Sequence, residues 1–361
     1  MKILLFVDQL YLGGAGRVAS ILVSALEKRG YQITVVYDKS FGLTYPLPQS
    51  VKTIQSYKAE NKNIVDKICN TIKRWLFIRK QIKTVKPDLI IAFLPHIFVD
   101  VKIASSFLNI PIIASDHTSM LRDLGVWVNF VRHRGYALAD AVTILTYKDK
   151  NYLGSRLANK HVVYNPLTFE PITSTLSREK IVLCAGRVSQ WSVKGFDRMV
   201  EVWSKLSRKY PEWRLFIAGP NDPASVAHLR SLVQDEKVVQ NIEFLGQVDD
   251  IQSLYRRAAI FALPSRVEGF PMVLIEAMSQ GCACLSFQMQ GAVNEIMTDG
   301  KDGLIVDDGN IERFTQRLDS LMEDEQYRTT LATQAVESVA RFSEDCFAQR
   351  WIEIIKQVTR S

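Results

Sequence analysis

The chain has 361 residues, of which 47% are hydrophobic, 10% aromatic and 23% charged. This is the composition of an ordinary globular protein, so it excludes a disordered or fibrous chain, and the length predicts about two domains. The five cysteines are scattered without metal-ligand spacing, which excludes a small disulfide or zinc module and indicates a reducing, cytoplasmic compartment. The N-terminal apolar run is too short for a signal peptide, and no window is long and apolar enough for a membrane-spanning helix.

The net charge of +7 belongs to the first half of the chain. Residues 1–170 carry 23 Lys and Arg against 12 Asp and Glu, a net charge of +11, whereas the remainder has a net charge of −4. Such asymmetry indicates an anionic partner, and composition leaves open whether this is a nucleic acid, an anionic lipid or an anionic substrate.

Short apolar runs alternate with segments of helical length in both halves, which is typical of parallel sheets covered by helices. The runs in the first half are 3–7, 33–37, 89–93, 110–114 and 141–145. The runs in the second half are 181–185, 213–218, 242–245, 260–263, 283–286 and 304–306.

This alternation predicts an α/β protein with two doubly wound domains. The break between them is predicted in the Pro-, Ser- and Thr-rich segment 165–178. We therefore expect an N-terminal domain at 1–165, a linker at 166–178, a second domain at 179–340 and a C-terminal segment at 341–361. Within that segment, residues 344–358 are expected to form a helix that packs back toward the first domain.

A glycine-rich loop follows the first predicted strand. Gly13 and Gly14 open it, and the segment from Gly14 through Ala19 matches the dinucleotide pattern GxGxxG/A, with Asp38 near the position of a ribose-binding acid. In a dinucleotide fold, however, the glycines follow the strand directly, and here residues 9–12 intervene. The loop therefore favours anion binding at a helix N-terminus, while an NAD site and a purely structural turn remain alternatives.

Two cations lie on one predicted strand-to-helix connection of the second half. Arg187 and Lys194 have no acidic residue between them, so they can converge on a diphosphate. A solvated loop would also carry such charges.

The segment 264–286 contains a further candidate anion site. Gly269-Phe270-Pro271 precedes an apolar helical run, and the first backbone N–H groups of that helix, at Met272, Val273 and Leu274, would be free to bind an anion. Glu268 lies before the helix and Glu276 in its second turn, where carboxylates could accept from sugar hydroxyls. The alternative is that Glu268 complements the helix dipole and Glu276 is merely exposed.

The run EGFPMVLIEAMSQGCA resembles the EGFP...E motif of glycosyltransferase family 4, whose members are retaining enzymes. Further motifs occur in the family's order. They are the GG loop, Asp116-His117, Gly186-Arg187 to Lys194-Gly195-Phe196-Asp197, Phe244 to Gly246, and Asp299 to Val306. The resemblance implies the GT-B fold, in which two Rossmann-like domains face each other across a cleft.

The resemblance also implies site roles. Glu276 would bind the nucleotide ribose, Arg187 and Lys194 the diphosphate, and Glu268 the hydroxyls of the transferred sugar, while His117 would lie near the reacting carbon. The remaining implied donor-binding residues are Gly13, Gly14, Gly246, Gly269, Phe270, Met272 and Val273. Two departures are Gly16, where the family often has Glu, and a longer loop between Arg187 and Lys194.

No Asp-x-Asp sequence occurs, so a sequence-readable metal clamp for a diphosphate is missing. We expect no resident metal or cofactor, with the nucleotide sugar as a co-substrate and Arg, Lys and helix N–H groups stabilising the leaving group. Because no protein nucleophile is evident, a same-face transfer is expected, in which the departing phosphate oxygen takes the acceptor proton.

Residues 62–86 form a predicted amphipathic basic helix. They hold eight Lys and Arg against Asp66 alone, and apolar residues recur at helical spacing. Two interpretations are open. Either the apolar side of the helix packs in the core while its basic side is solvated, or the helix lies on anionic lipid at the inner leaflet of the plasma membrane. The resemblance favours the membrane. Five further residues are expected to extend that surface, namely Trp127, Phe130, Arg132, His133 and Arg134. Nucleic acid is not expected, because no recognition motif accompanies the charge.

The sequence thus predicts a glycosyltransferase that moves a hexose or N-acetylhexosamine from a nucleoside diphosphate to a glycan or lipid-linked acceptor in surface polysaccharide assembly. UDP is favoured over GDP as the nucleotide of the donor. The alternatives are an NAD-dependent oxidoreductase and a non-catalytic protein that binds nucleotide sugar or a lipid surface.

Overall fold

The computed structural model describes residues 1–360 except 12, 43, 59–62, 175, 234, 290 and 291. The chain divides into two compact units, one formed by Met1–Pro166 with Glu344–Ser361 and the other by Leu167–Ser343. Most of the segment predicted as a linker therefore belongs to the second unit. The N–H of Leu167 donates to the Phe342 carbonyl at 2.7 Å, and the N–H of Ile172 donates to the Ser279 carbonyl at 2.9 Å, which fixes the segment there.

The described part of the first unit holds one parallel sheet of order β3-β2-β1-β4-β5-β6-β7. Its strands are β1 Lys2–Phe6, β2 Gln32–Tyr37, β3 Lys52–Gln55, β4 Leu89–Phe93, β5 Ile112–Ser115, β6 Ala141–Ile144 and β7 Lys160–Val162. Its helices are α1 Gly14–Glu27, α2 Ile64–Val85, α3 Pro95–Ala104, α4 Val126–His133, α5 Tyr147–Leu153 and, at the end of the chain, α15 Glu344–Thr359. Strand β4 is buried along its whole length, which is why it reads as a continuous apolar run.

Helix α15 packs on α1 within this unit. Lys28 pairs with Glu344 at 2.8 Å and Arg29 with Asp345 at 2.6 Å. The apolar face of α15 is buried, with Trp351 and Ile355 in its centre. On the other face of the sheet, α2, α3 and α4 share one core, to which Ile82, Val101 and Val131 contribute.

The described part of the second unit holds a parallel sheet of order β10-β9-β8-β11-β12-β13. Its strands are β8 Glu179–Ala185, β9 Arg214–Ala218, β10 Ile242–Gly246, β11 Ala258–Leu263, β12 Ala283–Gln288 and β13 Leu304–Asp307. Its helices are α6 Trp191–Lys194, α7 Phe196–Leu206, α8 Pro223–Ser231, α9 Glu236–Gln240, α10 Ile251–Arg257, α11 Met272–Ser279, α12 Val293–Ile296, α13 Ile311–Glu323 and α14 Glu325–Ser338.

The predicted α/β class with two parallel, doubly wound sheets is confirmed. Each sheet reverses its strand order once, between β1 and β4 in the first unit and between β8 and β11 in the second. Ligands of open parallel sheets bind beyond the carboxyl ends of the strands at such reversals. Among the described residues, none of the helices combines the length and the apolar character that a membrane crossing needs.

Candidate functional site

Three strand-end loops of the second unit pack backbone against backbone through glycines. The N–H of Gly186 after β8 donates to the Ala218 carbonyl at 2.9 Å, and the N–H of Gly219 after β9 donates to the Gly246 carbonyl at 2.8 Å. A Cβ on Gly219 would lie 2.0 Å from the Gly186 carbonyl oxygen, so only glycine fits there. Gly246 has φ +66 and ends β10. These loops expose backbone at the carboxyl end of the sheet, where a ligand can approach closely.

The long loop after Gly186 is folded and brings Lys194 to the strand reversal. Residues Trp191–Lys194 form the short helix α6, and the Trp191 ring lies 4.3 Å from the ring of His228. The Lys194 Nζ is 2.8 Å from Glu268 Oε1. Arg187 begins the same loop and is exposed. Lys194 and Glu268, two of the predicted site residues, are therefore directly paired.

Glu268 is anchored by a second donor. The Ser265 hydroxyl donates to the same oxygen, Oε1, at 2.9 Å. In the described part of the chain, Oε2 has no hydrogen-bond donor, so it can still accept from a ligand hydroxyl.

Helix α11 differs in detail from the expectation. Pro271 is its N-cap, and the helix begins at Met272. The Leu274 N–H donates to the Pro271 carbonyl at 3.0 Å, so it is not free for an anion as predicted. The side chains of Phe270 and Met272 are buried, so any donor contact here would use backbone groups near Gly269, Met272 and Val273.

Glu276 is buried, at 1% exposure, and not the exposed helix residue of the alternative interpretation. The Thr168 hydroxyl donates to its Oε1 at 2.7 Å and the Tyr255 hydroxyl to its Oε2 at 3.2 Å. The hydroxyls of Thr168 and Tyr255 therefore hold both oxygens of the carboxylate in place, and the carboxylate group is an acceptor of the kind that binds a diol.

Gly195, between α6 and α7, allows a sharp test of this loop geometry. It has φ +68, and a Cβ would lie 1.9 Å from the Pro264 carbonyl oxygen, whereas Gly300 has φ +74 with nothing within 4 Å. We expect Gly300→Ala to lower the free energy of unfolding by about 1 to 2 kcal/mol through backbone strain. Gly195→Ala should cost about 2 to 3 kcal/mol more because of the overlap. Urea denaturation of both variants measures the difference, and equal losses would contradict the close approach.

The glycine loop of the first unit leads into α1. Gly13 is the N-cap with φ 145, and its N–H donates to the Tyr45 hydroxyl at 3.3 Å. Gly14 is exposed at the first position of the helix. A Cβ on Gly16 would lie 2.6 Å from the Gln9 carbonyl oxygen, so Gly16 serves loop packing.

Asp38 is occupied by its own loop. Its Oδ1 accepts from the backbone N–H of Ser40 at 2.9 Å and from the Gln55 amide at 3.0 Å. Burial acts to raise the pKa of Asp38, but the hydrogen bonds from Ser40 and Gln55 outweigh it and hold the pKa at about 2. This arrangement gives the carboxylate a local role, which weakens the NAD interpretation.

His117 lies after β5, next to β4 and therefore close to the strand reversal of the first unit. Its ring is stacked on Phe93, with centroids 4.7 Å apart, and Nε2 is 2.9 Å from the Ser115 hydroxyl. Burial lowers the pKa of His117 to about 4, against the opposing effects of Asp116 and Asn165. Burial therefore favours the neutral form of the imidazole.

A cavity of about 290 Å³ opens at the carboxyl ends of β1 and β2 in the first unit. It is lined by Phe6, Asp8, Tyr57, Arg74, Phe77, His96 and Asp100, among others. Its mixture of aromatic rings with a carboxylate and an imidazole suits a sugar, which presents apolar faces and hydroxyls.

The helix predicted within residues 62–86 is confirmed as α2, Ile64–Val85. Lys62 lies outside the described residues. Between residues 64 and 76 this helix leaves five apolar side chains exposed, here called the α2 stripe. They are Ile64, Val65, Ile68, Ile72 and Leu76. The alternative in which the apolar face of this helix packs in the core does not hold for Ile64, Ile68 and Ile72, which are exposed. The buried residues of the helix are Ile78 and Ile82.

The expected contribution of α4 to that surface is partly wrong. Val126, Trp127 and Phe130 are exposed, and the rings of Trp127 and Phe130 lie 6.2 Å apart. Arg132, however, is buried and paired with Asp116 at 2.8 Å, so it contributes no surface charge.

Several residues at these sites carry no sequence signal. Thr168 and Tyr255 reach Glu276 from other elements, and Ser265 reaches Glu268 from the same loop. No motif in the sequence marks these three residues. Among the described residues, no group of three or more His, Cys, Asp or Glu side chains could hold a metal ion.

The chain matches two protein-family models. Residues 12–170 match Glycosyltransferase Family 4, and residues 168–338 match Glycosyl transferases group 1.

Similar proteins span the whole chain. The amylovoran biosynthesis glycosyltransferase AmsD of Erwinia amylovora is 29% identical over 98% of this chain and 99% of its own. A Campylobacter jejuni alpha-1,4-N-acetyl-D-galactosaminyltransferase, named for a GalNAc-containing diNAcBac-PP-undecaprenol, is 26% identical over 99% of each chain. The crystal structure of Anabaena HepE in complex with UDP and glucose superimposes with a TM-score of 0.78 at 19% identity, covering 99% of this chain and 100% of that one.

Proposed function

We propose a function for this chain, which belongs to the family 4 glycosyltransferases and has their GT-B fold: retaining transfer of a hexose or N-acetylhexosamine from a UDP-sugar to a glycan or lipid-linked acceptor. The transfer would serve bacterial surface polysaccharide assembly. In support, AmsD is named for amylovoran biosynthesis, and the Campylobacter enzyme is named for a glycan on PP-undecaprenol.

The observation that carries the proposal is the cluster at the strand reversal of the second unit. Lys194 and Glu268 are paired at 2.8 Å there, and α11 starts in the same loop and carries the buried Glu276. In the proposal, Glu276 accepts from the ribose hydroxyls and Lys194 with Arg187 neutralises the diphosphate. Glu268 accepts from hydroxyls of the transferred sugar.

The reaction breaks the bond between the anomeric carbon and the diphosphate oxygen and forms a bond from an acceptor oxygen on the same face. The departing phosphate oxygen takes the proton of the acceptor hydroxyl, so the step balances without a protein nucleophile. Arg187, Lys194 and the N–H groups of Met272 and Val273 would stabilise the leaving group, with no resident metal or cofactor. In the first unit, Gly13 and Gly14 are proposed to approach the donor phosphates and His117 the transferred sugar.

A UDP donor is proposed over GDP, and the bound UDP of HepE supports a UDP site in this fold. For the acceptor, we propose the 290 Å³ cavity of the first unit, because it lies at the carboxyl edge of the sheet and is lined by α2 and α3.

We also propose that the first unit rests on the anionic inner face of the plasma membrane. The α2 stripe is exposed, with Ile64 at 78% and Leu76 at 62%, and the exposed cations Lys73, Lys80 and Lys83 share the same helix. Arg74 does not belong to this set, because it pairs with Asp100 at 2.7 Å. Exposed apolar side chains beside lysines are typical of interfacial helices.

Cys69 lies exposed on α2 and gives a direct probe of this contact. Cys346 is the other exposed cysteine, and the remaining three are buried. A polarity-sensitive dye on Cys69, in a Cys346→Ser background, should shift its emission to the blue with vesicles containing phosphatidylglycerol. The same dye on Cys346 in a Cys69→Ser protein is the matched control and should not shift. An unchanged emission from Cys69 would contradict the membrane contact.

A thermal-shift panel with UDP, GDP, ADP and NAD, each with and without EDTA, tests the donor. A ligand at 100 times its dissociation constant adds about 2.7 kcal/mol to stability. We expect a shift with UDP that survives EDTA. A shift with NAD alone would overturn the proposal in favour of the oxidoreductase alternative.

A further inference from the structure

The segment that carries His117 is tied at its start by a buried ion pair. Asp116 and Arg132 are each 1% exposed, and they bond in the bidentate mode. Arg132 Nε donates to Oδ2 at 2.8 Å and Nη2 donates to Oδ1 at 2.9 Å. The Thr118 N–H and the Tyr136 hydroxyl also donate to this carboxylate, both at 3.0 Å.

The same guanidinium spans the rest of the segment. Arg132 Nη1 donates to the carbonyls of Ser119 and Arg122, both at 3.3 Å. One side chain on α4 therefore bonds a carboxylate on one side of His117 and two carbonyls on the other. Movement of this segment would break several bonds of a buried cation at once, which makes it costly.

A second acid fixes the segment from α5. Asp149 Oδ1 accepts from the Met120 N–H at 2.7 Å and from the Ser119 hydroxyl at 3.3 Å, while the Thr146 hydroxyl donates to Oδ2. Burial raises the pKa of Asp149.

The imidazole of His117 has few restraints of its own. Ser115 bonds Nε2, Phe93 stacks on the ring, and a hydrogen bond with the Asn165 side chain acts to raise its pKa. The position of the ring is set in addition by the backbone of the segment. The charged and titratable groups that surround the segment are Asp116, Arg132, Tyr136 and Asp149.

We propose that Arg132 is a positioning residue of the transfer reaction, which holds the His117 segment in place and cancels the charge of Asp116 beside the imidazole. The inference rests on the proposed function for the part His117 plays in transfer. A buried ion pair alone is weak evidence for a stabilising role, since apolar replacements are often equally stable. Arg132 bonds the segment on both sides of His117, and this arrangement indicates that it positions the histidine.

Two substitutions of Arg132 separate its charge from its geometry. Arg132→Met leaves Asp116 unneutralised, so the pKa of His117, followed by NMR of the ring protons, should rise by about one unit or more. Arg132→Lys retains the positive charge, so the pKa of His117 should stay close to its value in the unchanged protein. Because the bidentate bond and the carbonyl contacts are lost, its kcat for UDP release from a UDP-sugar should fall about 10-fold at unchanged KM.

Asp116→Asn should shift the pKa of His117 in the opposite direction. It leaves the Arg132 cation beside the imidazole, so the pKa of His117 should fall below about 4. A loss of packing alone would not move this pKa in opposite directions in the two variants. If Arg132→Met does not fold, Tyr136→Phe takes its place, because removal of one donor to Asp116 also raises the pKa of His117, by a smaller amount.

The proposal would be overturned if the pKa of His117 were unchanged both in Asp116→Asn and in Arg132→Met. Where Tyr136→Phe replaces Arg132→Met, the same criterion applies to Tyr136→Phe. A normal kcat in Arg132→Lys would overturn it equally. The titration needs no turnover, so it distinguishes this failure from a failure of the proposed function, which would show as no UDP release by the unchanged protein from any UDP-sugar.

Discussion

Replacing Glu276 with glutamine is expected to lower kcat/KM for the sugar donor by about 10- to 100-fold with little change in stability. A hydrogen bond to a charged acceptor contributes about 1.5 to 3 kcal/mol, and glutamine keeps the size of the side chain while one oxygen becomes a donor. The Thr168 hydroxyl can still donate to the remaining oxygen, and the Tyr255 hydroxyl can accept from the new amide. The buried frame therefore survives, while acceptance from the ribose diol is lost. Initial rates of UDP release at varied donor concentration measure the effect.

Glu312→Gln is the matched control, because this glutamate is exposed in the first turn of α13 and has no part in the site. It should leave kcat/KM unchanged. A folded Glu276→Gln variant with full donor affinity and rate would remove Glu276 from the donor site.

Reversing the charge of Lys73, Lys80 and Lys83 to glutamate is expected to weaken binding to anionic vesicles by more than about 100-fold at low salt. Each lysine near an anionic surface contributes about 1 kcal/mol, so loss of three attractions alone gives about 3 kcal/mol. These side chains are exposed on α2 beside the stripe of apolar residues, so the fold should not depend on them. Co-flotation with vesicles of stated phosphatidylglycerol content measures the change.

The control has the same change in net charge at other exposed lysines. Lys52, Lys301 and Lys356 are exposed on β3, on a turn of the second unit and on α15, and their reversal should leave flotation nearly unchanged. Equal losses in both triple variants would show a dependence on net charge alone and contradict a defined membrane face.

The central strands were predictable because strands covered on both faces read as apolar runs. The two edge strands of the first sheet were not predicted. Their sequences are Lys-Thr-Ile-Gln in β3 and Lys-His-Val in β7, and neither contains a continuous run of apolar residues. The break predicted within 165–178 contains the observed boundary after Pro166. Composition does not show, however, that residues 167–178 belong to the second unit, because specific backbone hydrogen bonds hold them there.

The candidate site was predictable where short motifs mark the ends of strands. The run around Glu268 and Glu276 and the pair Arg187 and Lys194 mark the carboxyl end of the second sheet. What the sequence could not supply are partners distant in the chain, such as Thr168, 108 residues from Glu276. The same holds for Arg132, whose charge suggests a surface residue, because burial depends on a carboxylate that only the fold brings next to it.

The most direct test of the central claim is the anomeric configuration of the sugar first released from a UDP-α-sugar. Proton NMR of donor hydrolysis by the protein, recorded before mutarotation, resolves the two anomers. We expect the α anomer to appear first, since the same-face step retains configuration. First appearance of the β anomer, or no consumption of any UDP-sugar at equimolar protein, would contradict it.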